Sequence, residues 1–119
     1  MKLTEVAEAL NAKVLIGDLD REVHTACGAD LMSDVLAFSK ERGVLLTGLV
    51  NPQVVRTVEM MDGAAIVFVR GKTPPEGLLA LAEENDVVVL STEHTMYTAC
   101  GILYAKGLPG GIRKDGLGD

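Results

Sequence analysis

The chain has 119 residues, 11 basic against 17 acidic side chains, a net charge of −6 and no tryptophan. That length supports one domain that buries roughly two-thirds of its unfolded surface and leaves no room for a second. The acidic balance argues against phosphate-backbone binding and anionic membranes, and two Phe with two Tyr cannot build a base-stacking platform.

Thr4, Glu5 and the apolar Val6, Ala9 and Leu10 predict a short capped helix, followed by a strand over Lys13 to Ile16 that Gly17-Asp18 closes. Glu22 to Ala26 reads as a second, mixed strand. Asp30 is expected to cap a helix from Leu31 to about Lys40, with Leu31, Val35, Leu36 and Phe38 turned inward.

A regular strand–helix alternation begins at Val44-Leu45-Leu46. Asn51 caps a helix with Pro52 in its first turn, and Val54, Val55, Val58 and Met61 lie on one side of it. Ala64 to Val69 is a continuous apolar strand ending at Arg70-Gly71. Pro74-Pro75 opens a helix carrying Leu78, Leu79 and Ala82. Val87 to Leu90 is the next strand, ending at Ser91-Thr92, and a last helix runs from about Thr95 to Lys106.

Strands that are apolar throughout fit a parallel sheet covered on both faces. The predicted fold is therefore α/β, a three-layer α/β/α sandwich with a mainly parallel sheet. One domain over residues 1–108 is expected, with 109–119 as a flexible Gly-rich tail.

No run of about 18 apolar residues exists. Met1-Lys2-Leu3-Thr4-Glu5 turns acidic too early for a secretory signal. Cys27 and Cys100 form no CxxC, so the expected compartment is cytoplasmic with both thiols reduced. The two can meet as a redox pair only if the fold brings their Cα atoms within about 7 Å.

In an open parallel sheet, ligands favour the carboxyl ends of the strands, where helix N-termini offer free N–H groups. The ligand-binding candidates there are Thr47, Gly48 and Asn51, then Arg70, Gly71, Lys72 and Thr73, then Ser91, Thr92 and Thr95. The bland alternative is that the hydroxyls and Asn51 cap helices while the glycines end strands. Arg70-Gly-Lys72-Thr73 suits an anion but lacks the GxxxxGK[ST] arrangement of a P-loop.

His24 and His94, the two histidines, sit in no nucleophile–base motif. Asp30, Ser33 and Asp34 with Glu22 or His24 lack the clustered pattern that a metal needs, and capping accounts for Asp30. Asp20-Arg21 reads first as an architectural ion pair. Val54, Val58 and Met61 form a stripe whose default is core, with a dimer face as the alternative.

The order of Asp20-Arg21, Thr47, Gly63 and Gly71 resembles the signature of the DRTGG domain family. Gly17-Asp-Leu-Asp-Arg-Glu-Val23, Ala29-Asp-Leu-Met-Ser-Asp-Val35, Asp62 to Gly71, Val87 to Thr92 and Thr95-Met-Tyr-Thr-Ala99 extend the likeness over roughly residues 3 to 106. The resemblance implies a fold like the N-terminal domain of HPr kinase/phosphorylase. It implies an accessory domain of the kind found beside CBS pairs in regulated pyrophosphatases and in long phosphotransacetylases. It also implies homodimers and sensing of an adenine nucleotide.

The leading expectation is a non-catalytic regulatory or ligand-sensing homodimer without a metal, binding an adenine nucleotide or other small anion, with a partner enzyme also possible. The alternatives are a scaffold subunit of a redox, hydrogenase-like complex and a small phosphotransfer accessory enzyme using Arg70, Lys72 and Thr73.

Overall fold

The apolar runs 44–46, 65–69 and 87–90 become adjacent central strands because neither of their faces carries a group that needs water. The computed structural model describes residues 1–39, 42–110 and 112–113. Its elements are α1 (Leu3–Leu10), β1 (Lys13–Ile16), β2 (Thr25–Gly28), α2 (Met32–Leu36), β3 (Phe38–Ser39) and β4 (Gly43–Thr47). They continue with α3 (Gln53–Met60), β5 (Ala65–Phe68), α4 (Glu76–Glu84), β6 (Val88–Ser91), α5 (Met96–Ala105) and β7 (Ile112–Arg113).

Five strands form one sheet in the order β1-β6-β5-β4-β2. β2, β4, β5 and β6 are parallel, with Cys27 opposite Leu45, Leu45 opposite Ile66 and Ile66 opposite Val89. β1 joins the far edge antiparallel to β6, so the sheet is mixed. β3 and β7 form a separate antiparallel pair.

Strand periodicity then sorts the core into two layers. Val44, Leu46, Ala65, Val67, Val88 and Leu90 face α1 and α5 through Leu3, Val6, Leu10, Ala99 and Leu103. Leu45, Ile66, Phe68, Val87 and Val89 face α2, α3 and α4 through Met32, Val35, Val54, Val55, Val58, Leu78 and Ala82. This is the expected α/β/α sandwich, and it absorbs Val54 and Val58 as core.

Four helices end in the same device. Asn11, Asp62, Asp86 and Gly107 take left-handed φ values of 49°, 55°, 59° and 100°. The next amide reaches back five residues: Ala12 to the Ala7 carbonyl, Gly63 to Val58, Val87 to Ala82 and Leu108 to Leu103, at 2.8–3.1 Å. These Schellman turns satisfy the last carbonyls of each helix and aim the chain at its next segment.

Three local expectations are corrected. The first helix begins at Leu3 rather than being capped by Thr4, and the Glu5 carboxylate accepts the Lys2 amide at 3.2 Å. Glu22 and Val23 lie outside the sheet, because Leu3 donates to the Arg21 carbonyl and Val23 to the Met1 carbonyl; β2 starts at Thr25. Asp30 does not cap α2, whose N-cap is Leu31 without a side-chain bond, and the helix stops at Leu36. Lys40 lies outside the described residues.

Of the segment expected to be a tail, the Pro109 carbonyl accepts the Ala26 amide at 2.9 Å, and Ile112–Arg113 pair with β3. Residues 114–119 lie outside the described residues.

Phe68 is fully buried in the layer between β5 and α2–α4. Phe68→Ala should destabilise the fold by about 3–5 kcal/mol, since it removes the ring and leaves a cavity. Urea unfolding followed by far-UV circular dichroism measures this.

Candidate functional site

Polar groups gather at the two rims of the sheet, and the rims differ in how completely those groups are used. At the amino rim, Asp20, Arg21, Glu22, Arg42, Asp62 and Gly63 line an open hollow of about 440 Å³. Its charges are largely paired. Lys2 Nζ donates to Asp20 Oδ1 at 2.6 Å, and the Met1 ammonium donates to Glu22 Oε2 at 3.0 Å.

Arg21 reaches 65 residues along the chain to the end of α4. Its Nη1 donates to the Asp86 carbonyl at 2.6 Å and its Nη2 pairs with the Asp86 carboxylate. A guanidinium on the last turn of a helix meets the negative end of the dipole. Asp20-Arg21 therefore forms two ion pairs with other partners, not one pair with each other. Gly63 donates the amide that closes α3.

The hydrogen bond from Lys2 holds the Asp20 carboxyl below the usual carboxylate range, and the bond from the N-terminal ammonium does the same for Glu22. Groups with depressed folded pKa values contribute stability above their unfolded pKa and lose it as pH falls through the folded one.

At the carboxyl rim, β5 leads to α4 on one face of the sheet while β6 leads to α5 on the other. Such a divergence between neighbouring strands is where open α/β sheets form a ligand crevice. Here the two loops are stitched shut. Arg70 N–H donates to the His94 carbonyl and Gly71 N–H to the Thr92 carbonyl, both at 2.8 Å. Ser91 Oγ donates to the Lys72 carbonyl at 3.1 Å.

Gly71 has φ of +65°, a left-handed conformation that favours glycine, and a Cβ placed on it would stand 2.5 Å from Glu93 Oε2, the movable end of an exposed side chain. Glu93 was not among the residues singled out from the sequence. Nothing local in Ser91-Thr-Glu-His94 signals that its carboxylate folds back over residue 71.

The other candidates divide into used and unused groups. Thr47 is fully buried: its hydroxyl donates to Asp30 Oδ1 at 3.1 Å and accepts the Leu49 amide. Asp30 also accepts the Gly48 amide at 2.8 Å, which is why it is lost to α2 as a cap. Thr92 donates to the Leu10 carbonyl at 2.7 Å, fixing the end of α1. Thr95 accepts the Thr98 amide as the cap of α5, and Asn51 accepts the Gln53 amide at the start of α3.

What remains is Arg70, with Lys72 and Thr73 exposed beside it. Arg70 is a non-glycine residue at φ of 59°, and its side chain leans across to β4. A Cβ on Gly48 would stand 2.6 Å from Arg70 Nη2. Among the described residues this guanidinium has no hydrogen bond or ion pair, and the amides of Val50 and Asn51, which lead into α3, donate to nothing. A guanidinium beside a helix N-terminus with free amides is an arrangement that holds anions.

Neither Cys27 nor Cys100 forms a disulfide among the described residues. Cys27 packs against the layer of α2–α4 and Cys100 against the layer of α1 and α5, and both line a hollow beside the edge strand β2. Among the described residues no group of three or more His, Cys, Asp or Glu could hold a metal ion.

Arg21→Ala should lower stability by roughly 1 kcal/mol, the scale of a cation on a helix C-terminus, as measured by chemical denaturation. Stability should also decline as pH falls through and below the usual carboxylate range. Asp20→Asn with Glu22→Gln should flatten that decline in acid-unfolding curves.

No curated protein matches this chain. A solved structure that is similar is the crystal structure of the CBS and DRTGG domains of the regulatory region of Clostridium perfringens pyrophosphatase, complexed with an activator, diadenosine tetraphosphate. The likeness has a TM-score of 0.73 at 20% identity and covers 90% of this chain. It covers 47% of the other, so this chain spans about half of that regulatory region. The family model of the DRTGG domain matches residues 5–105, and with the signature positions Asp20, Arg21, Thr47, Gly63 and Gly71 placed at the two rims, the chain belongs to the DRTGG domain family.

Proposed function

We propose that this domain is a non-catalytic regulatory module that binds a small phosphate-bearing anion, an adenine nucleotide in the first instance, at the carboxyl rim over β4 and β5. The observation that carries this reading is the Arg70 guanidinium, unpaired among the described residues and lying against Gly48 next to the free amides of Val50 and Asn51. Lys72 and Thr73 extend the same edge. The similar pyrophosphatase regulatory region is complexed with an adenine dinucleotide, which supports the choice of ligand class.

A regulatory rather than chemical role fits the use of the hydroxyls. Those of Thr47, Ser91, Thr92 and Thr95 are committed to Asp30, Lys72, Leu10 and Thr98. None of these four is bonded to a histidine ring, the partner that would activate a hydroxyl as a nucleophile. A bound phosphate would be held by charge and by amides and left intact.

Ligand binding to the folded state alone raises its stability, by about 2.7 kcal/mol at a ligand concentration of a hundred times the dissociation constant. Thermal unfolding with AMP, ATP, diadenosine tetraphosphate and inorganic phosphate should give a saturable rise in Tm for at least one of them. Arg70→Ala should abolish the rise and leave the unliganded Tm close to that of the parent. No rise with any of the four overturns anion sensing at this edge, and so does a rise that survives Arg70→Ala. Turnover of a nucleotide by the pure domain overturns the non-catalytic reading.

A further inference from the structure

Two groups at the start of α5 are left over by the fold. Tyr97 is 88% exposed. The Glu93 carboxylate, also exposed, has no hydrogen bond or ion pair among the described residues. Both belong to the segment 91–97, which the Arg70 and Gly71 amides pin to the end of β5 through the His94 and Thr92 carbonyls. Helical Cα–Cβ bonds tilt toward the N-terminus, so the Tyr97 ring covers the turn that precedes it, on the side of the carboxyl rim. Tyr104, the other tyrosine, stands two turns along α5, roughly 10 Å farther from that rim.

Charge is graded across the rim. The Arg70 guanidinium stands over Gly48, just past the end of β4, and the Glu93 carboxylate stands over Gly71, just past the end of the neighbouring β5. The uncharged Tyr97 ring lies beyond, on α5. An anion is drawn to the first position and repelled from the second. A ligand with phosphate at one end and none at the other therefore lies across this rim in one direction only.

We propose that Tyr97 and Glu93 form a base-recognition subsite, at which the adenine ring of a nucleotide stacks on Tyr97 and its exocyclic amine donates to Glu93. The inference rests on phosphate binding at Arg70, and it adds the residues that tell one base from another. Stacking alone accepts any base, because every base has a π-face. The carboxylate supplies the choice. Ionised, it only accepts hydrogen bonds, so it takes the N6 amine of adenine and is opposed by the O6 keto oxygen of guanine. Uracil presents a keto oxygen at the matching edge, and cytosine keeps an amine but offers a smaller ring to stack. The same negative charge turns the phosphates away from the base subsite and toward Arg70.

Isothermal titration calorimetry of the full chain with tripolyphosphate, ATP and GTP tests it. Tripolyphosphate measures the phosphate end alone. ATP should bind about tenfold or more tighter than tripolyphosphate, and tighter than GTP. Tyr97→Ala should bring ATP down to the tripolyphosphate affinity and leave tripolyphosphate itself unchanged. Tyr97→Phe should keep the preference, and Tyr104→Ala should not touch it. Glu93→Gln, whose amide both donates and accepts, should bring ATP and GTP to similar affinities. Tyr97 and Glu93 are exposed, so circular dichroism melts of these variants should match the parent. ATP bound no tighter than tripolyphosphate, or a preference that survives Tyr97→Ala, overturns the base subsite and leaves phosphate binding standing. An ATP-to-GTP ratio unmoved by Glu93→Gln overturns the role of Glu93. No binding of tripolyphosphate or ATP overturns the phosphate reading at Arg70 and this inference with it.

Discussion

Burial of β4, β5 and β6 on both faces is the constraint from which the rest of the molecule follows. Val44, Ala65 and Val88 point one way while Leu45, Ile66 and Val89 point the other, and each set needs its own helical cover. With both faces closed to water, no polar side chain can sit on the body of these strands without costing the fold. Polar chemistry is displaced to the two rims. The connecting turns must then reverse the chain within a few residues while leaving few carbonyls unsatisfied. The repeated left-handed turns at Asn11, Asp62, Asp86 and Gly107 do this, and three of the four accept a non-glycine residue there.

The rims have diverged in use. At the amino rim, Lys2, Arg21 and the N-terminal ammonium neutralise Asp20, Asp86 and Glu22, so its charge binds the first strand-and-helix unit to the far end of α4. At the carboxyl rim, the point where α4 and α5 part to opposite faces is occupied by the chain itself, with Glu93 lying over Gly71. The opening moves one strand over, to where Arg70 crosses Gly48. A family signature spread over Asp20, Arg21, Thr47, Gly63 and Gly71 thus describes two rims and not one pocket.

Elements whose evidence is local were legible from the sequence. The strand over 13–16, the Asn51-Pro52 helix start, the apolar runs of the central strands and the Thr95 cap all depend on neighbours a few residues away. Segments whose partners are distant were not. Glu22 and Val23 alternate like a strand but are held by Met1, and Asp30 has a cap-like position but is drawn to Thr47 and Gly48, 17 and 18 residues on. The carboxyl-rim residues were locatable as a group because strand ends are visible in the hydrophobic pattern. Which hydroxyls are spent internally was not visible, since a capping threonine and a ligand-binding one read alike. That Cys27 and Cys100 pack against opposite layers depended on strand register, which a one-residue shift would have reversed.

The placement of Tyr97 and Tyr104 has an optical consequence. With no tryptophan and only weakly emitting phenylalanines, tyrosine fluorescence from this chain comes from those two rings, and both stand in solvent on one helix. Their fluorescence would report little on the packing of the interior, because neither tyrosine lies within it. The same rings would respond to anything that covers α5, so the unlabelled protein carries its own reporter for that face.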